Sequence, residues 1–463
     1  MCGAHSRPLH DPRSGITYVG KVGPTPTDAR FEKKYLTALD EQGNEKWTFP
    51  GASMTSDPVL DLEGRVCFRS RDRLHAVDAD GREVWSVPTS DASRWDPPFD
   101  TREAESLFGD LPFKMAPHVA ADGTVYVVAA DDALGFKNCR LMAVRDGREQ
   151  WSRRLTSPSS SVEVAGTDAV LRETVEAPKP PPSLLERIFS PREDPSYTQR
   201  ITRLDPQGAV RYSTLWGDSV TQSWSDDFPT ARFAAGPDGS AYICRGDGLV
   251  AALASDGSPA WMRETGPTAS DGKRHAWILT DPLTDSAGNV YVTTSVRDPQ
   301  NEHVNGVHAV KLAPDGATRY DVIVGTYPFK DLAPVLTPKG ELVVVTESRD
   351  GGIARVEEEH VTVVAPDGRI TQDLVCTSTG VGNWNTENGL IRSLAPGRDG
   401  ELIVELEPYY YTSPGGRSIV AVPTDRPDPK AAVDPVAPAN PAGTVEVQDE
   451  QVVIGGVKIP RRQ

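Results

Sequence analysis

The stretch Leu36-Thr37-Ala38-Leu39-Asp40 runs into a turn glycine, Gly43, and then into Trp47. Seven units along the chain repeat this plan, and in six of them an aromatic residue follows the turn glycine by four positions. Those aromatic residues are Trp47, Trp85, Trp151, Tyr212, Trp261 and Tyr320. In the seventh unit Gly368 is followed by Gln372. A repeat of this size predicts one array of similar supersecondary units rather than several unrelated domains.

A second series of turn glycines precedes the first within each unit, most clearly at Asp122-Gly123. Four of these glycines follow a proline by six residues, and proline is tolerated at the first residue of a strand because no ladder hydrogen bond is lost there. Those prolines are Pro58, Pro117, Pro282 and Pro334. Each unit therefore reads as strand, glycine turn, strand, variable loop, strand, glycine turn, strand. Eight units predict an all-β fold, an eight-bladed β-propeller of four-stranded antiparallel blades.

The last unit lacks an obvious fourth strand after Ile419-Val420-Ala421-Val422, where a Pro/Ala-rich linker begins. We divide the chain into a propeller over residues 1–424, the linker over 425–443, and a C-terminal β segment over 444–463. We expect this segment to pack on the propeller as a closing strand or hairpin. It would either complete the last blade or replace the first strand of blade one.

The motif Ala-Leu-Asp-x-x-Gly-x-x-x-Trp over residues 38–47 resembles the PQQ-like β-propeller repeat. Quinoprotein alcohol dehydrogenases share that repeat with the non-enzymatic propeller lipoprotein of outer-membrane barrel assembly, to which this chain is closer in type. The resemblance implies that the repeated tryptophans dock between neighbouring blades. They are Trp47, Trp85, Trp151 and Trp261. A repeat motif of this kind specifies a fold and says little about chemistry.

Strand parity places both glycine turns of every unit on one face of the propeller and all longer connections on the opposite face, here called the loop face. Aromatic residues outside the repeat gather in those connections, interleaved with acids. Because aromatic anchors dominate binding hot spots, we predict a protein-binding surface there. The alternative is that these side chains only pack the loops down. The predicted partner-binding residues are Trp95, Phe99, Trp224, Phe228, Trp384 and Tyr410.

One connection, over residues 173–199, is a longer insertion with several prolines. Ser183 is a plausible N-cap for a short helix that carries Leu184, Leu185, Ile188 and Phe189. Such an amphipathic helix would either dock in a partner's groove or fold back over its own propeller.

The formal net charge of −17 disfavours binding to nucleic acid or to an anionic membrane, since both need basic patches. No apolar run approaches the roughly 20 residues of a membrane span. The first residues lack the apolar core of a secretory signal, so we expect a cytoplasmic protein. The alternative is a periplasmic or lipid-anchored protein, if Cys2 begins a mature lipoprotein. The five cysteines are widely scattered and form no CxxC pair, which argues against a zinc–thiolate site.

Motifs of catalysis are scarce. The chain lacks the adjacent cysteines of quinoprotein dehydrogenases, and it contains neither Gly-x-Ser-x-Gly nor HExxH. We expect no cofactor, no metal and no catalytic residue, and we predict a non-catalytic scaffold or protein-binding subunit of a bacterial-type complex. The alternative is an enzyme or small-molecule binder, such as a lyase or a quinone- or sugar-binding protein, that uses the central channel at the loop face. Acids that converge on the channel with strongly perturbed pKa values would favour this alternative.

Overall fold

A computed structural model gives the fold of the chain. It describes all residues outside 1–6, 23–33, 71, 91–115, 130–138, 157–159, 177–195, 222–231, 247, 266–275, 299–300, 329–331, 350–355, 378–390, 398–400, 407–417, 424–443, 449–450, 455–456 and 461–463. The described residues up to β33 form antiparallel sheets that follow one another along the chain, and the C-terminal strands join an earlier sheet.

Blades 1 to 4 each have four strands in chain order. Blade 1 contains β1 (Leu9–Asp11), β2 (Ile16–Val22), β3 (Lys34–Leu39) and β4 (Glu45–Thr48). Blade 2 contains β5 (Val59–Leu60), β6 (Val66–Arg69), β7 (Arg73–Val77) and β8 (Glu83–Pro88). Blade 3 contains β9 (His118–Val119), β10 (Val125–Ala129), β11 (Arg140–Arg145) and β12 (Arg148–Arg154). Blade 4 contains β13 (Ser160–Ala165), β14 (Asp168–Glu176), β15 (Ser196–Leu204) and β16 (Val210–Thr221).

Blade 5 contains β17 (Arg232–Ala235), β18 (Ala241–Cys244), β19 (Leu249–Leu253) and β20 (Pro259–Glu264). In blades 6 and 7 the first strand is split into two pieces that pair with the same neighbour. Blade 6 contains β21 (Ala276–Ile278), β22 (Leu283–Thr284), β23 (Val290–Asp298), β24 (Asn301–Leu312) and β25 (Thr318–Gly325). Blade 7 contains β26 (Tyr327–Pro328), β27 (Val335–Leu336), β28 (Leu342–Arg349), β29 (Val356–Val364) and β30 (Ile370–Thr377). A three-stranded sheet follows, with β31 (Ile391–Pro396), β32 (Glu401–Leu406) and β33 (Ser418–Pro423).

The repeat motif encodes a turn, a bulge and an aromatic residue. In blade 2, Gly81 has φ 83°, a left-handed conformation that strains any residue with a Cβ. The Asp78 carboxylate closes the same turn by accepting the backbone N–H of Arg82 at 2.9 Å. The ladder between β7 and β8 then shifts by one residue, as it does at the matching place in the other complete blades.

The first strands of the blades lie innermost and follow one another around an axis. β1 contacts β5, β5 contacts β9, and the series continues through β13 and β17 to β22. β31 of the three-stranded sheet contacts both β27 and β1. The hydrophobic core sits between blades, because six buried apolar clusters each join one blade to the next, from blade 1 to blade 7.

The structure confirms an all-β propeller of four-stranded antiparallel blades but corrects the predicted count. Seven complete blades are described, and the sheet after blade 7 has three strands, so eight four-stranded blades is wrong. The predicted closure is wrong as well. β34 (Thr444–Gln448) pairs in parallel with β30 of blade 7, and β35 (Gln451–Ile454) and β36 (Val457–Pro460) extend that sheet. The C-terminal segment therefore neither completes the last sheet nor replaces β1, which pairs with β2 in its own blade.

Candidate functional site

The repeated aromatic residues lie at joints between blades. Trp47, on the outer strand of blade 1, covers the turn between the third and fourth strands of blade 2. A Cβ on Gly81 in that turn would lie only 2.7 Å from the indole. Its Nε1–H donates to the Ala79 carbonyl oxygen in the same turn, at 2.9 Å. The same relation holds for five further pairs, which are Trp85 with Gly147, Trp151 with Gly208, Tyr212 with Gly257, Trp261 with Gly316, and Tyr320 with Gly368. Each aromatic residue thus contacts the glycine of the next repeat, not that of its own.

Three of the six joints combine shape with a directional hydrogen bond; among the described residues, Trp85 Nε1 and the Tyr212 and Tyr320 hydroxyls have no hydrogen-bond partner. Trp151 Nε1–H donates to the Pro206 carbonyl at 2.8 Å, and Trp261 Nε1–H donates to the Pro314 carbonyl at 2.7 Å. A large aromatic ring supplies buried area, while its N–H fixes the orientation of the neighbouring turn. The six joints connect blades 1 to 7 in order. They lie on the face opposite the loop face, here called the glycine-turn face, and hold its turns in a fixed geometry.

A second type of contact joins blades at the inner strands. Asp57, two residues before β5, accepts the backbone N–H of Arg7 at 2.7 Å, and Asp281, two residues before β22, accepts that of Phe233 at 3.4 Å. Both acids precede a repeat proline, so the Asp-Pro pair was a sequence signal that we missed. Burial raises the pKa of Asp57, although the Arg7 N–H and the nearby cations Arg7 and Lys34 oppose that shift.

Titratable side chains from blades 3 to 6 gather on and beside the first strands. His118, Glu163 and Arg232 lie on first strands, Arg172 lies on the second strand β14, and Asp281 precedes β22. We call these five residues the axial cluster. His118 Nδ1 lies 3.6 Å from Glu163 Oε2, and the two side chains remain 28% and 38% exposed. Burial, together with the charge of Asp281, raises the pKa of Glu163 to about 8. Burial lowers the pKa of His118 to about 4. Both side chains are therefore partly accessible to a ligand, and burial disfavours the charged form of each.

The cationic side of the axial cluster is also partly desolvated. Arg172 Nε donates to Ser161 Oγ at 2.9 Å, and burial lowers the pKa of Arg172 although the charge of Asp281 opposes it. A carboxyl group with a raised pKa, a neutral imidazole and a guanidinium can bind a polar ligand or exchange a proton with it. Sequence reasoning did not single out these residues, because they lie on different blades and only the closed ring brings them together.

One arrangement in blade 2 resembles a catalytic triad. Ser70 Oγ lies 2.9 Å from His75 Nε2, and His75 Nδ1 lies 2.6 Å from Glu83 Oε1. Ser70 is only 5% exposed, and its Oγ also accepts the backbone N–H of Arg73 at 3.2 Å. The histidine–acid pair recurs between third and fourth strands, as His308 with Asp321 and His360 with Asp373. The recurrence identifies a structural link across the strands rather than a nucleophile.

Burial lowers the pKa of His75, although its hydrogen bond to Glu83 opposes the shift. Burial likewise raises the pKa of the Cys67 and Cys244 thiols, and an uncharged buried thiol is a poor nucleophile. Among the residues that the structure describes, no three His, Cys, Asp or Glu side chains are grouped as metal ligands. In the same part of the chain, no helix is long and apolar enough to cross a bilayer.

All six predicted partner-binding residues, Trp95, Phe99, Trp224, Phe228, Trp384 and Tyr410, lie outside the described residues. The predicted helix after Ser183 and the linker over 425–443 lie outside them too. These predictions stay predictions. By contrast, Trp47, Trp85, Trp151 and Trp261 are described, and each contacts the neighbouring blade as set out above.

Comparisons with known proteins agree on the repeat. The sequence profile of a family described as outer membrane protein assembly factor BamB matches residues 32–188. None of the curated proteins matches the chain by sequence.

Solved structures with a similar arrangement include a quinoprotein alcohol dehydrogenase-like protein from Bacteroides thetaiotaomicron, at 11% identity and a TM-score of 0.37 over 70% of this chain and 67% of that one. They also include the Dos1 propeller, at 10% identity and a TM-score of 0.44 over 86% of this chain and 90% of that one. A third is the Pan2 WD40 domain of Neurospora crassa, at 9% identity and a TM-score of 0.34 over 86% and 85%. These values carry no functional argument. The predicted resemblance rests on the profile match and the fold, and both confirm it: the chain is a β-propeller that carries the PQQ-like repeat of the BamB-type profile.

Proposed function

We propose that the protein is a non-catalytic propeller scaffold whose loop face binds a protein partner. The six aromatic–glycine joints carry the proposal, because every one of them lies at the glycine-turn face. They make that face a fixed frame and leave the connections on the opposite face free to vary in length. Binding residues are found most often on such loops, held by a rigid scaffold. The assembly-factor description of the matched family supports a partner-binding role.

Within this proposal, Trp95 and Trp224 are the anchors to test first. The experiment is affinity capture from the native host, with the wild type, Trp95→Ala and Trp224→Ala compared by quantitative mass spectrometry. Val210→Ala is the matched control, because Val210 is 47% exposed at the start of the outer strand β16, next to the Gly208 turn and away from the loop face. Loss of a hot-spot aromatic costs about 2 kcal/mol or more, so specific partners should fall at least about tenfold in the tryptophan variants. Equal recovery by all four proteins would show that the loop face is not the site.

A second function is favoured by the axial cluster: a polar small molecule bound at the inner strands of blades 3 to 6. Glu163 and His118 have the perturbed pKa values expected of a binding or catalytic site. A thermal-shift panel of sugars, quinones and polyamines tests it with the wild type and Glu163→Gln. A binder stabilises the folded state by mass action, so at least one compound should raise the Tm of the wild type only. If no compound in the panel raises the Tm of the wild type, the proposal of a small-molecule site at the axial cluster is wrong.

We also propose that the three-stranded sheet is an incomplete eighth blade of the ring. Its place between β27 and β1 supports this, because it occupies the next position around the axis. The division into a propeller over 1–424, a linker over 425–443 and a C-terminal segment over 444–463 belongs to the same proposal. A cytoplasmic location, or a lipid anchor at Cys2, stays a prediction for fractionation to test.

A further inference from the structure

The strand at the outer edge of the three-stranded sheet, β33, has the amino-acid composition of an interior strand. β33 has the sequence Ser-Ile-Val-Ala-Val-Pro, with no charged residue. The outer strands of complete blades are charged, such as Glu-Lys-Trp-Thr in β4 and Arg-Glu-Gln-Trp-Ser-Arg-Arg in β12. Proteins protect exposed strand edges with charges, and β33 lacks that protection. Within the described part of the chain, β33 pairs with β32 and with no other strand.

The register shows which strand β33 corresponds to. In four complete blades an alanine of the third strand pairs with the docking tryptophan of the fourth: Ala38 with Trp47, Ala76 with Trp85, Ala143 with Trp151, and Ala252 with Trp261. Ile419-Val420-Ala421-Val422 repeats the pattern of Leu74-His75-Ala76-Val77, so Ala421 stands at the position of those alanines. β33 is thus a third strand, and an aromatic residue belongs opposite Ala421.

The C-terminal segment is not a suitable fourth strand for this sheet. The structure pairs it with β30 of blade 7, and the sequence from residue 412 to residue 463 contains no aromatic residue. The pairing with β30 nevertheless shows that an outer edge of this propeller accepts an additional strand. Blade 1 is the next neighbour of the three-stranded sheet, because β31 contacts β1. Its turn glycine Gly43 has φ 79° and occupies the same position in its turn as the six glycines that an aromatic ring covers.

We infer that the outer edge of β33 binds an extended segment of another protein, which adds as an antiparallel fourth strand. The incoming strand carries a tryptophan or tyrosine opposite Ala421, and this ring docks on the Gly43 turn of blade 1. Main-chain hydrogen bonds supply affinity in such strand addition, and the aromatic pocket supplies specificity. The inference rests on the proposed incomplete eighth blade and is independent of the loop-face site.

The probe is a ten-residue peptide with the sequence of residues 80–89, Asp-Gly-Arg-Glu-Val-Trp-Ser-Val-Pro-Thr, which is this protein's own fourth strand from blade 2. Fluorescence anisotropy measures its binding to the full chain, against a control peptide with alanine at the tryptophan position. We expect the control peptide to bind about tenfold more weakly, since it loses the ring. The variant Ala421→Leu, checked for an unchanged circular dichroism spectrum, should weaken the tryptophan peptide similarly.

A second peptide carries a benzophenone side chain at the tryptophan position and is photo-crosslinked to the full chain. Adducts mapped by mass spectrometry to residues 418–423 or to 40–44 support the inference. Adducts at β7 would mean exchange with the native strand of blade 2, and adducts at β30 would mean displacement of the C-terminal segment; either result overturns it. Absence of binding at 1 mM, or equal binding of both peptides, overturns it too. A failed loop-face experiment would leave this result unchanged, so the two proposals fail separately.

Discussion

At the residue scale, the turn glycine before each fourth strand meets two independent demands. Gly208 has φ 82°, so a side chain would strain the backbone, and a Cβ there would lie 2.9 Å from the Trp151 ring. Gly166 has φ 63°, but among the described residues a Cβ there would meet nothing within 4 Å beyond its own chain neighbours. A side chain would therefore strain the backbone at both glycines, but only at Gly208 would it also clash with an aromatic ring. Comparing the two positions separates these effects.

We predict that Gly208→Ala destabilises the protein more than Gly166→Ala. Left-handed strain costs about 1–2 kcal/mol at either position. Displacement of a packed ring adds about 1–3 kcal/mol at Gly208 only. Urea unfolding followed by tryptophan fluorescence measures both free energies. Equal losses at the two positions would mean that the Trp151 joint contributes no steric constraint.

The axial cluster predicts opposite pH dependences for its two central residues. Glu163 has a folded-state pKa of about 8, above its ordinary value, so its contribution to stability is present at low pH and is lost as the pH rises from about 4.5 to 8. His118 has a folded-state pKa of about 4, so its contribution is present above pH 6.5 and is lost as the pH falls toward 4. In denaturant titrations from pH 5 to 9, Glu163→Gln should flatten the decline toward alkaline pH. An unchanged slope would contradict the shift at Glu163.

At the element scale, the fourth strand is both the edge of its own blade and the connector to the next. The Gly-x-x-x-aromatic spacing predicted the strands and turns because both depend on local chemistry: positive φ, carboxylate-closed turns and alternating apolar residues. It predicted that Trp47 docks between blades only through the resemblance, and it left the partner, Gly81, unidentified. The contact between those two residues depends on neighbouring blades meeting at a fixed angle, which no local pattern records. For Asp57 and Asp281 the Asp-Pro pair marks the acid, but their partners belong to preceding blades and could not be identified from local sequence.

The C-terminal segment is predicted to contribute little to the stability of the propeller. β34 pairs with β30 over three residue pairs, and blade 7 has a complete set of strands without it. A chain truncated after Pro423 should keep a cooperative thermal transition with a Tm within about 3 °C of the full chain, which for a chain of this length corresponds to roughly 3 kcal/mol. Differential scanning calorimetry measures this directly. A Tm lowered by more than about 10 °C would show that the segment is an integral part of the ring.

At the scale of the whole molecule, the chain is a ring of blades whose joints repeat and whose last sheet is short. The prediction of eight four-stranded blades was wrong at the last blade. There the segment Val445-Glu446-Val447 has the alternation of a strand and was expected to supply the missing fourth strand. Strand type alone cannot choose between β33 and β30 as the neighbour of the C-terminal segment, since the outer strand of either sheet could accept a further strand. The missing aromatic residue after position 411 was the available signal, and it points away from closure by this segment.

The central claim is that seven blades are complete and that, among the strands the structure describes, none pairs with the outer edge of β33, the third strand of the last sheet. Hydrogen–deuterium exchange with mass spectrometry tests it most directly, because every second amide of an edge strand points outward without a backbone acceptor, and such a strand also opens more easily. Residues 418–423 should exchange much faster than the third strands β7, β11 and β19, and they should become protected when the tryptophan peptide is added. Protection of residues 418–423 equal to that of those strands, in the protein alone, would contradict the account.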